Sequence, residues 1–439
     1  MPRLSRRGRA VAAVLGPALA LGWLAGACAP GPAPPPAPAP HEPLAPELPA
    51  VAGNRSPGPD PCAFQPPGPP RADTVRVIAG SAFPARQLYQ TLIRLDCTGR
   101  PRAGLAVAWE PADGGRTWVL TLGDARFWDG TAVTAATVAS GWARDSAAAA
   151  ALRQASILFV GAAGDRQLRL LLASPQDSVP ATLADPRLAV MLRVPDSAWP
   201  IGTGAYRLPE PDPAPATLEP VGTGRPVRLP APPRDLRDAI DAGADVVVTD
   251  DPATLAYAAG RPDLSSIALP WNRAYGLIVT AATDSTAALV TPAFREALAR
   301  DAVRVDARAA TSLPQSCPGT PGRASGSRPG VRGTRIAYAA GDRTAADLAA
   351  RLAALGVDGA HTVVPMEIPA LTASLREGRE AAYVVVLPRG IRPCDDVPRP
   401  AGSLLLPLVE TRAHAIVRNG GPPLTVDQDG VLRLLPESQ

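Results

Sequence analysis

Between Thr334 and Leu387 the hydrophobic period switches from that of a strand to that of a helix and back, twice over, and few folds accept that pattern. Thr334 to Ala340 reads as a strand. Asp342 or Thr344 starts a helix that carries Leu348, Leu352 and Leu355 on one face, with Asp347 and Arg351 paired four residues apart. Gly356 stops it. Thr362 to Val364 is a second strand, Ala370 to Arg376 a second helix, and Ala381 to Leu387 a third strand. Strand, helix, strand, helix and strand on short links predict a parallel sheet with right-handed crossovers.

Upstream the signals are shorter. Thr74 to Gly80 is of strand type, and the spacing of Leu88, Leu92 and Leu95 predicts a helix. Thr117 to Leu122 alternates like a strand, Asp129-Gly130 marks a turn, and Thr131 or Thr134 can cap a helix through Val138 and Trp142. Ala147 to Ile157 is an alanine-rich helix and Leu168 to Leu172 another strand. Pro209 to Pro233 and Pro314 to Pro329 are rich in turn residues and read as surface loops. No repeat of solenoid period is apparent.

The N-terminal stretch is of a different kind. Arg3, Arg6, Arg7 and Arg9 precede an apolar run from Ala10 to Leu24, which Gly16 and Pro17 interrupt and which is too short to span a bilayer. It is expected to be a secretory signal. The run ends in Leu24-Ala25-Gly26-Ala27-Cys28, which resembles a bacterial lipobox and makes Cys28 the expected lipidation site. From Ala29 to about Pro70 proline and alanine dominate; such a stretch cannot bury a core and favours extended polyproline II. It is expected to act as a tether on the order of 100 Å long. The division is thus 1–28 signal and 29–70 tether, with the globular body from 71 to 439.

That body is long enough for two lobes with their own cores. The chain is 46% hydrophobic and 19% charged, with a net charge of only +4, and its arginines are interleaved with acids. No concentrated basic face is visible, so nucleic acid is not expected as a partner. There is no lysine at all, which excludes a Walker A lysine, a Schiff-base lysine and the S-x-x-K of serine enzymes. No G-x-S-x-G, H-E-x-x-H or G-x-G-x-x-G occurs. Asp250-Asp251 and Asp395-Asp396 are adjacent pairs whose side chains on extended backbone point apart, so neither is a catalytic dyad. An enzyme is not expected, nor a cofactor. His361 and His414 stand alone in the body, and no cysteine pair has C-x-x-C spacing, so no metal site is expected. With Cys28 as anchor, Cys62, Cys97, Cys317 and Cys394 remain, an even number that suggests two disulfides in one of three connectivities.

Several segments, in order along the body, resemble the family 5 extracellular solute-binding proteins, the peptide and nickel group that serves ABC importers. Leu88-Tyr89-Gln90-Thr91-Leu92-Ile93 resembles L-Y-E-x-L-V, and Leu105 to Glu110 resembles L-A-x-S-W-E. Gly115-Arg116-Thr117-Trp118 is close to D-G-x-T-W, and Phe127 to Ala135 to F-H-D-G-T-P-V-T-A. Ile201-Gly202-Thr203-Gly204-Ala205-Tyr206 resembles the V-G-T-G-P-Y turn, and Phe294 to Leu298 the V-R-Q-A-L helix. Gly430-Val431-Leu432 matches the pattern of the closing strand. Gly202 and Gly204 read as tight-turn residues, and Trp109, Trp118 and Trp128 as core packing rather than ligand contacts.

The resemblance implies an α/β, type II periplasmic-binding-protein fold: two lobes with mixed or parallel sheets around a ligand cleft. Lobe I would take 71–265 and regain the chain at 400–439, with lobe II at 266–399. By proximity within those lobes, the expected disulfides are Cys62–Cys97 and Cys317–Cys394. The crossing near Leu269 to Thr280 makes Trp271, Asn272, Arg273 and Tyr275 candidate ligand contacts. The family's aromatic–acidic stretch after the third strand of lobe II is replaced by Leu387-Pro388-Arg389-Gly390-Ile391-Arg392-Pro393-Cys394-Asp395-Asp396, and lobe II is short. Arg389 and Arg392 can grip a carboxylate or phosphate, and Asp395 or Asp396 an ammonium group. The expected function is an exported, lipid-anchored monomer on the periplasmic or extracellular face. It would capture a peptide-like or other small polar solute for an ABC permease. The alternative is a non-transporting relative that acts as sensor or scaffold.

Overall fold

The computed structural model describes residues 60–194, 199–209, 216–280, 291–311, 335–356, 360, 362–388, 397–400 and 403–436. The expected signal, Cys28 and the expected tether as far as 59 lie outside the described residues, as do Cys317, His361, Cys394, Arg389, Arg392, Asp395 and Asp396, whereas 60–70, expected to belong to the tether, carry the strand Ala63–Phe64 and the bridged Cys62.

The alternating segment does fold as a parallel unit. Arg335–Ala339 lies between Thr362–Met366 and Ala382–Pro388 and is parallel to both. Asp342 caps the helix Arg343–Ala354 by accepting the amide of Ala345 at 2.9 Å. Ala345, Leu348, Ala349 and Leu352 are buried along one stripe. Leu355 was expected on that stripe, but the helix stops one residue earlier and the side chain turns out to solvent, 49% exposed. Gly356 follows at φ +66°, a left-handed position that favours glycine. Two antiparallel strands and an edge complete this six-stranded sheet, in the order Ala307–Ala309, Leu404–Thr411, Arg273–Val279, Ala382–Pro388, Arg335–Ala339, Thr362–Met366. One face packs on helices Pro292–Asp301 and Arg343–Ala354, the other on Ile368–Glu377. Both faces being covered explains why its strands read as unbroken apolar runs.

A seven-stranded sheet runs in the order Leu264–Ala268, His414–Arg418, Val246–Thr249, Val75–Ile78, Val227–Arg228, Thr217–Pro220, Tyr206–Arg207. Helices Leu236–Asp241 and Pro252–Ala259 cover one face through Ala239, Ile240 and Ala258. A four-stranded antiparallel sheet, Ala106–Ala112, Thr117–Leu122, Gln167–Leu172 and Ile157–Ala162, packs on helices Ala135–Arg144 and Ser146–Gln154. Thr134 caps the first of these in a reciprocal box with Thr137, and Trp109, Trp118 and Trp142 fill the core beneath. The stretch from 400, expected to rejoin the first lobe at once, contributes Leu404–Thr411 to the six-stranded sheet before His414–Arg418 enters the seven-stranded one.

One expected helix is not there. The chain is helical over Ala82–Leu88, but Tyr89 is extended and Ile93–Leu95 pairs as a strand with Pro101–Ala103. Leu88 and Leu92 are both fully buried. Leu88 ends the helix, Leu92 lies in the bend after it and Leu95 in the strand, so their spacing mimicked one helical face. The Gly202-Thr203-Gly204 segment packs onto the end of that helix. A Cβ on Gly202 would stand 2.1 Å from the Leu88 carbonyl oxygen, and one on Gly204 2.0 Å from that of Gln87. These glycines serve close approach, not left-handed turns. Cys62 and Cys97 are joined, with Cα atoms 5.8 Å apart, fixing the strand Ala63–Phe64 beside the hairpin.

Candidate functional site

Two backbone segments pass between the large sheets, Leu269–Arg273 and Thr411–His414, and they touch through the Leu269 amide on the Ala413 carbonyl at 3.0 Å. Trp271 sits between the guanidinium groups of Arg308 and Arg412, each 4.6 Å from its ring centroid. Two like charges across one ring need counter-ions. Arg308 donates to Glu410 at 2.7 Å and Arg412 to Asp306 at 2.6 Å. His414, 3.8 Å from Asp306, has its pKa lowered by burial, so it adds no third positive charge at neutral pH.

Beside these crossings opens a cleft of about 2090 Å³. One wall, on the side of the six-stranded sheet, is made by Tyr275, Val386, Ile368, Arg304 and the first turn of the helix Arg343–Ala354. The facing wall combines Asp250, Asp251 and Pro252 with Arg86, Arg94 and the 427–429 turn, and the helical region near Gln154, Gln176 and Arg187 closes one end. Apolar atoms supply more than half of the lining area, and arginines and aspartates in nearly equal number are set among them.

Much of that charge is already paired. Arg86 meets Asp429 and Arg94 meets Asp60, with Asp427 near both. Burial raises the pKa of Asp60, but hydrogen bonds from Arg94, Cys62 and Thr425 outweigh it and the carboxyl ends below its ordinary value. Asp251 caps the helix Pro252–Ala259, accepting the Thr254 hydroxyl at 2.6 Å and amide at 2.9 Å. That hydroxyl chiefly lowers its pKa, with the charge of Arg343 from across the cleft adding to the effect. Asp342 accepts the Tyr275 hydroxyl at 3.2 Å. Burial, then the Asp342 charge, pushes the Tyr275 pKa well up, so it stays a neutral donor. Asp250 and Asp251 do point to different partners, since Asp250 faces Arg273 at 3.6 Å.

Of the residues expected at the site, Asn272, Arg273 and Tyr275 line the cleft, whereas Trp271 is held in the arginine sandwich outside its wall. Asn272 donates to the Asp429 carbonyl at 2.8 Å, tying the crossing to the 427–429 turn. Sequence reasoning missed Arg86, Arg94, Asp427 and Asp429. They lie more than 300 residues apart and no local pattern joins them. The capping position of Asp342 was readable, but not that of Asp251, nor that both caps line the cleft. Among the described residues the one cluster with metal-ligand spacing is Asp60, Cys62 and Asp96, and its sulfur is committed to the disulfide.

Residues 100–220 match the sequence model described as bacterial extracellular solute-binding proteins, family 5, middle region. The family 5 resemblance holds. No curated protein matches the chain by sequence. Among solved structures, NikA from Brucella suis, in complex with Fe(III)-EDTA, aligns over 83% of this chain and 100% of its own at a TM-score of 0.63 and 15% identity. OppA from Haemophilus influenzae, complexed with the peptide RPPGFSPFR, aligns over 84% and 100% at 0.59 and 13%. AgaA from A. tumefaciens R10, in complex with agropinic acid, aligns over 83% and 99% at 0.59 and 14%. At these identities the likeness concerns the fold, which is that of the type II periplasmic binding proteins. The family 5 match falls on the four-stranded sheet, its two helices and the Gly202–Gly204 loop, away from the wall of the cleft that the six-stranded sheet supplies.

Proposed function

We propose that this chain is an exported, lipid-anchored solute-binding protein that closes on a small charged solute for an ABC importer. The observation that carries this is the cleft itself. It lies where two α/β sheets are joined by paired crossings, and both walls present charged groups with scarcely any aromatic surface. Drug-sized ligand pockets run to about 300–1,000 Å³ and are mostly apolar. This cleft is larger and, although apolar atoms make up more of its lining area, it is studded with arginines and aspartates, which suits a zwitterionic, peptide-like or similar polar solute and the water around it. The cargo named for the three similar structures, a peptide, a metal chelate and agropinic acid, is polar in each case. Lobe I would comprise the seven- and four-stranded sheets, and lobe II the six-stranded sheet with its helices. Closure would be a hinge motion at Leu269–Arg273 and Thr411–His414. Arg273, Asn272, Tyr275, Arg304 and Arg343 are proposed contacts, with Arg389, Arg392, Asp395 and Asp396 on the loop after the strand Ala382–Pro388.

A second reading, a sensor or scaffold on the same fold, is favoured by how many cleft charges already have internal partners. A thermal-shift screen of the chain from Ala29 against peptides, opines, anions and metal chelates separates the two. A ligand at a hundred times its Kd adds about 2.7 kcal/mol of stability. A response abolished by Arg273→Ala, Arg389→Ala and Arg392→Ala supports capture; a flat response to every class supports the scaffold.

A further inference from the structure

Away from the cleft, a second depression of about 400 Å³ lies over the adjacent parallel strands Val75–Ile78 and Val227–Arg228. Four arginines line it, Arg71, Arg76, Arg228 and Arg418, against two aspartates, Asp73 and Asp245. Arg76 and Arg228 are register partners, so their exposed side chains rise from the same face of the sheet. Like charges in that relation destabilise a strand pair.

The local partners do not relieve the clash. Arg418 is buried and committed to the Ala244 and Ile240 carbonyls and to Asp263. Asp245 is buried and accepts the Arg76 amide at 2.8 Å. Arg76 itself donates to the Ala242 carbonyl at 2.8 Å, which uses one of its five donors. Among the described residues, no hydrogen bond or ion pair engages the side chain of Arg71 or Arg228. Three exposed guanidinium groups therefore converge on one hollow with a surplus of positive charge and donors left over. Their planar forks match the oxygens of carboxylates and phosphates, and three of them converging suit the additional oxygens and charge of a phosphate. The volume falls within the range of small-molecule sites, so the hollow accommodates a phosphate with an organic substituent as well as the bare ion.

We propose that this pocket binds a phosphate group, independently of the cleft, through Arg71, Arg76 and Arg228. A phosphate monoester in solution and a phospholipid headgroup present the same chemistry. The test uses the full chain from Ala29, with inorganic phosphate and glycerol 3-phosphate as soluble probes and phosphatidylglycerol vesicles against phosphatidylcholine vesicles. Titration calorimetry should give saturable phosphate binding that weakens about 10- to 100-fold in R228S or R76S, the loss expected for a charge-assisted contact. In the absence of anion, R228S should melt no lower than the parent, because it removes the cross-strand repulsion. R304S, in the cleft, should keep the phosphate response. Sedimentation with phosphatidylglycerol vesicles that R228S abolishes assigns the headgroup as the source; soluble binding without it assigns a free monoester. Phosphate affinity unchanged in R228S, or lost in R304S, overturns the proposal, as does absence of binding to every probe at millimolar concentration. None of these outcomes depends on whether the cleft captures a solute.

Discussion

Replacing both Cys62 and Cys97 by serine tests how much of the body's stability is held at its N-terminal edge. The bridge spans 35 residues. In the chain-entropy treatment, a loop of that length reduces the unfolded chain's entropy by about 13 cal/mol/K, or about 3.8 kcal/mol at 25 °C. Cys62 is buried beside Asp60, whose carboxylate meets Arg94 and accepts the Thr425 hydroxyl at 2.8 Å, so the cross-link also holds the strand Ala63–Phe64 against Leu424–Val426. For a cooperative unit of 150–250 residues, each kcal/mol moves the melting temperature by about 2–4 °C. The double variant should therefore melt on the order of 10 °C lower by scanning calorimetry, and reductant should lower the parent at least as far. Any further reductant-dependent shift in the double variant reports Cys317 with Cys394. A double variant that melts with the oxidised parent would falsify the argument.

Trp271→Ala removes two cation–π contacts, each about 0.5–1 kcal/mol, and should speed amide exchange in Leu269–Arg273 and Thr411–His414 while the sheet cores stay protected; unchanged exchange would mean that the tryptophan does not brace the crossings. Asp96 is fully buried, yet its pKa lies below the ordinary value: burial raises it, and hydrogen bonds from Thr98, Arg102 and backbone amides more than reverse that. A depressed folded pKa gives stability that is present above the unfolded value of about 3.9 and is lost as pH falls through the folded one. Asp96→Asn removes the buried ion pair with Arg102 and should destabilise the protein at pH 7, and its urea midpoint should converge on the parent's as pH falls through the folded value, below about 3.9. Gly204→Ala places a methyl 2.0 Å from the Gln87 carbonyl oxygen and should abolish soluble expression or cost more than about 3 kcal/mol. A well-folded Gly204→Ala protein would show that the loop can lift off its helix.

The sequence was most readable where local period and tertiary role agree. The parallel unit of the six-stranded sheet could be drawn from Thr334 to Leu387 because the sheet is covered on both faces and its helix carries a cap and a glycine stop. The stretch from Leu88 to Leu95 misled because leucines at a helix end, in a bend and in a strand happened to share helical spacing. Leu404–Val409 is an unbroken apolar run that would suit either large sheet, and only long-range pairing with Arg273–Val279 assigns the strand. The same limit governs the cleft. Asn272, Arg273 and Tyr275 followed from the position of one crossing, but Arg86 and Arg94 become neighbours of Asp427 and Asp429 only once the final strands have folded back.

That folding back sets an order of events. Ala63–Phe64, near the start of the body, pairs with Leu424–Val426 near its close, and Val246–Thr249 is completed by His414–Arg418. A chain that emerges N-terminus first, from a ribosome or through a translocon, cannot finish the seven-stranded sheet until those last residues arrive. The sheet carrying Arg273–Val279 waits in turn for Leu404–Thr411. Such distant pairings make folding slow. During that wait the edges of Val246–Thr249 and Arg273–Val279 stand open to aggregation and proteolysis, so a truncation before Leu404 leaves both sheets unclosed rather than trimming one lobe.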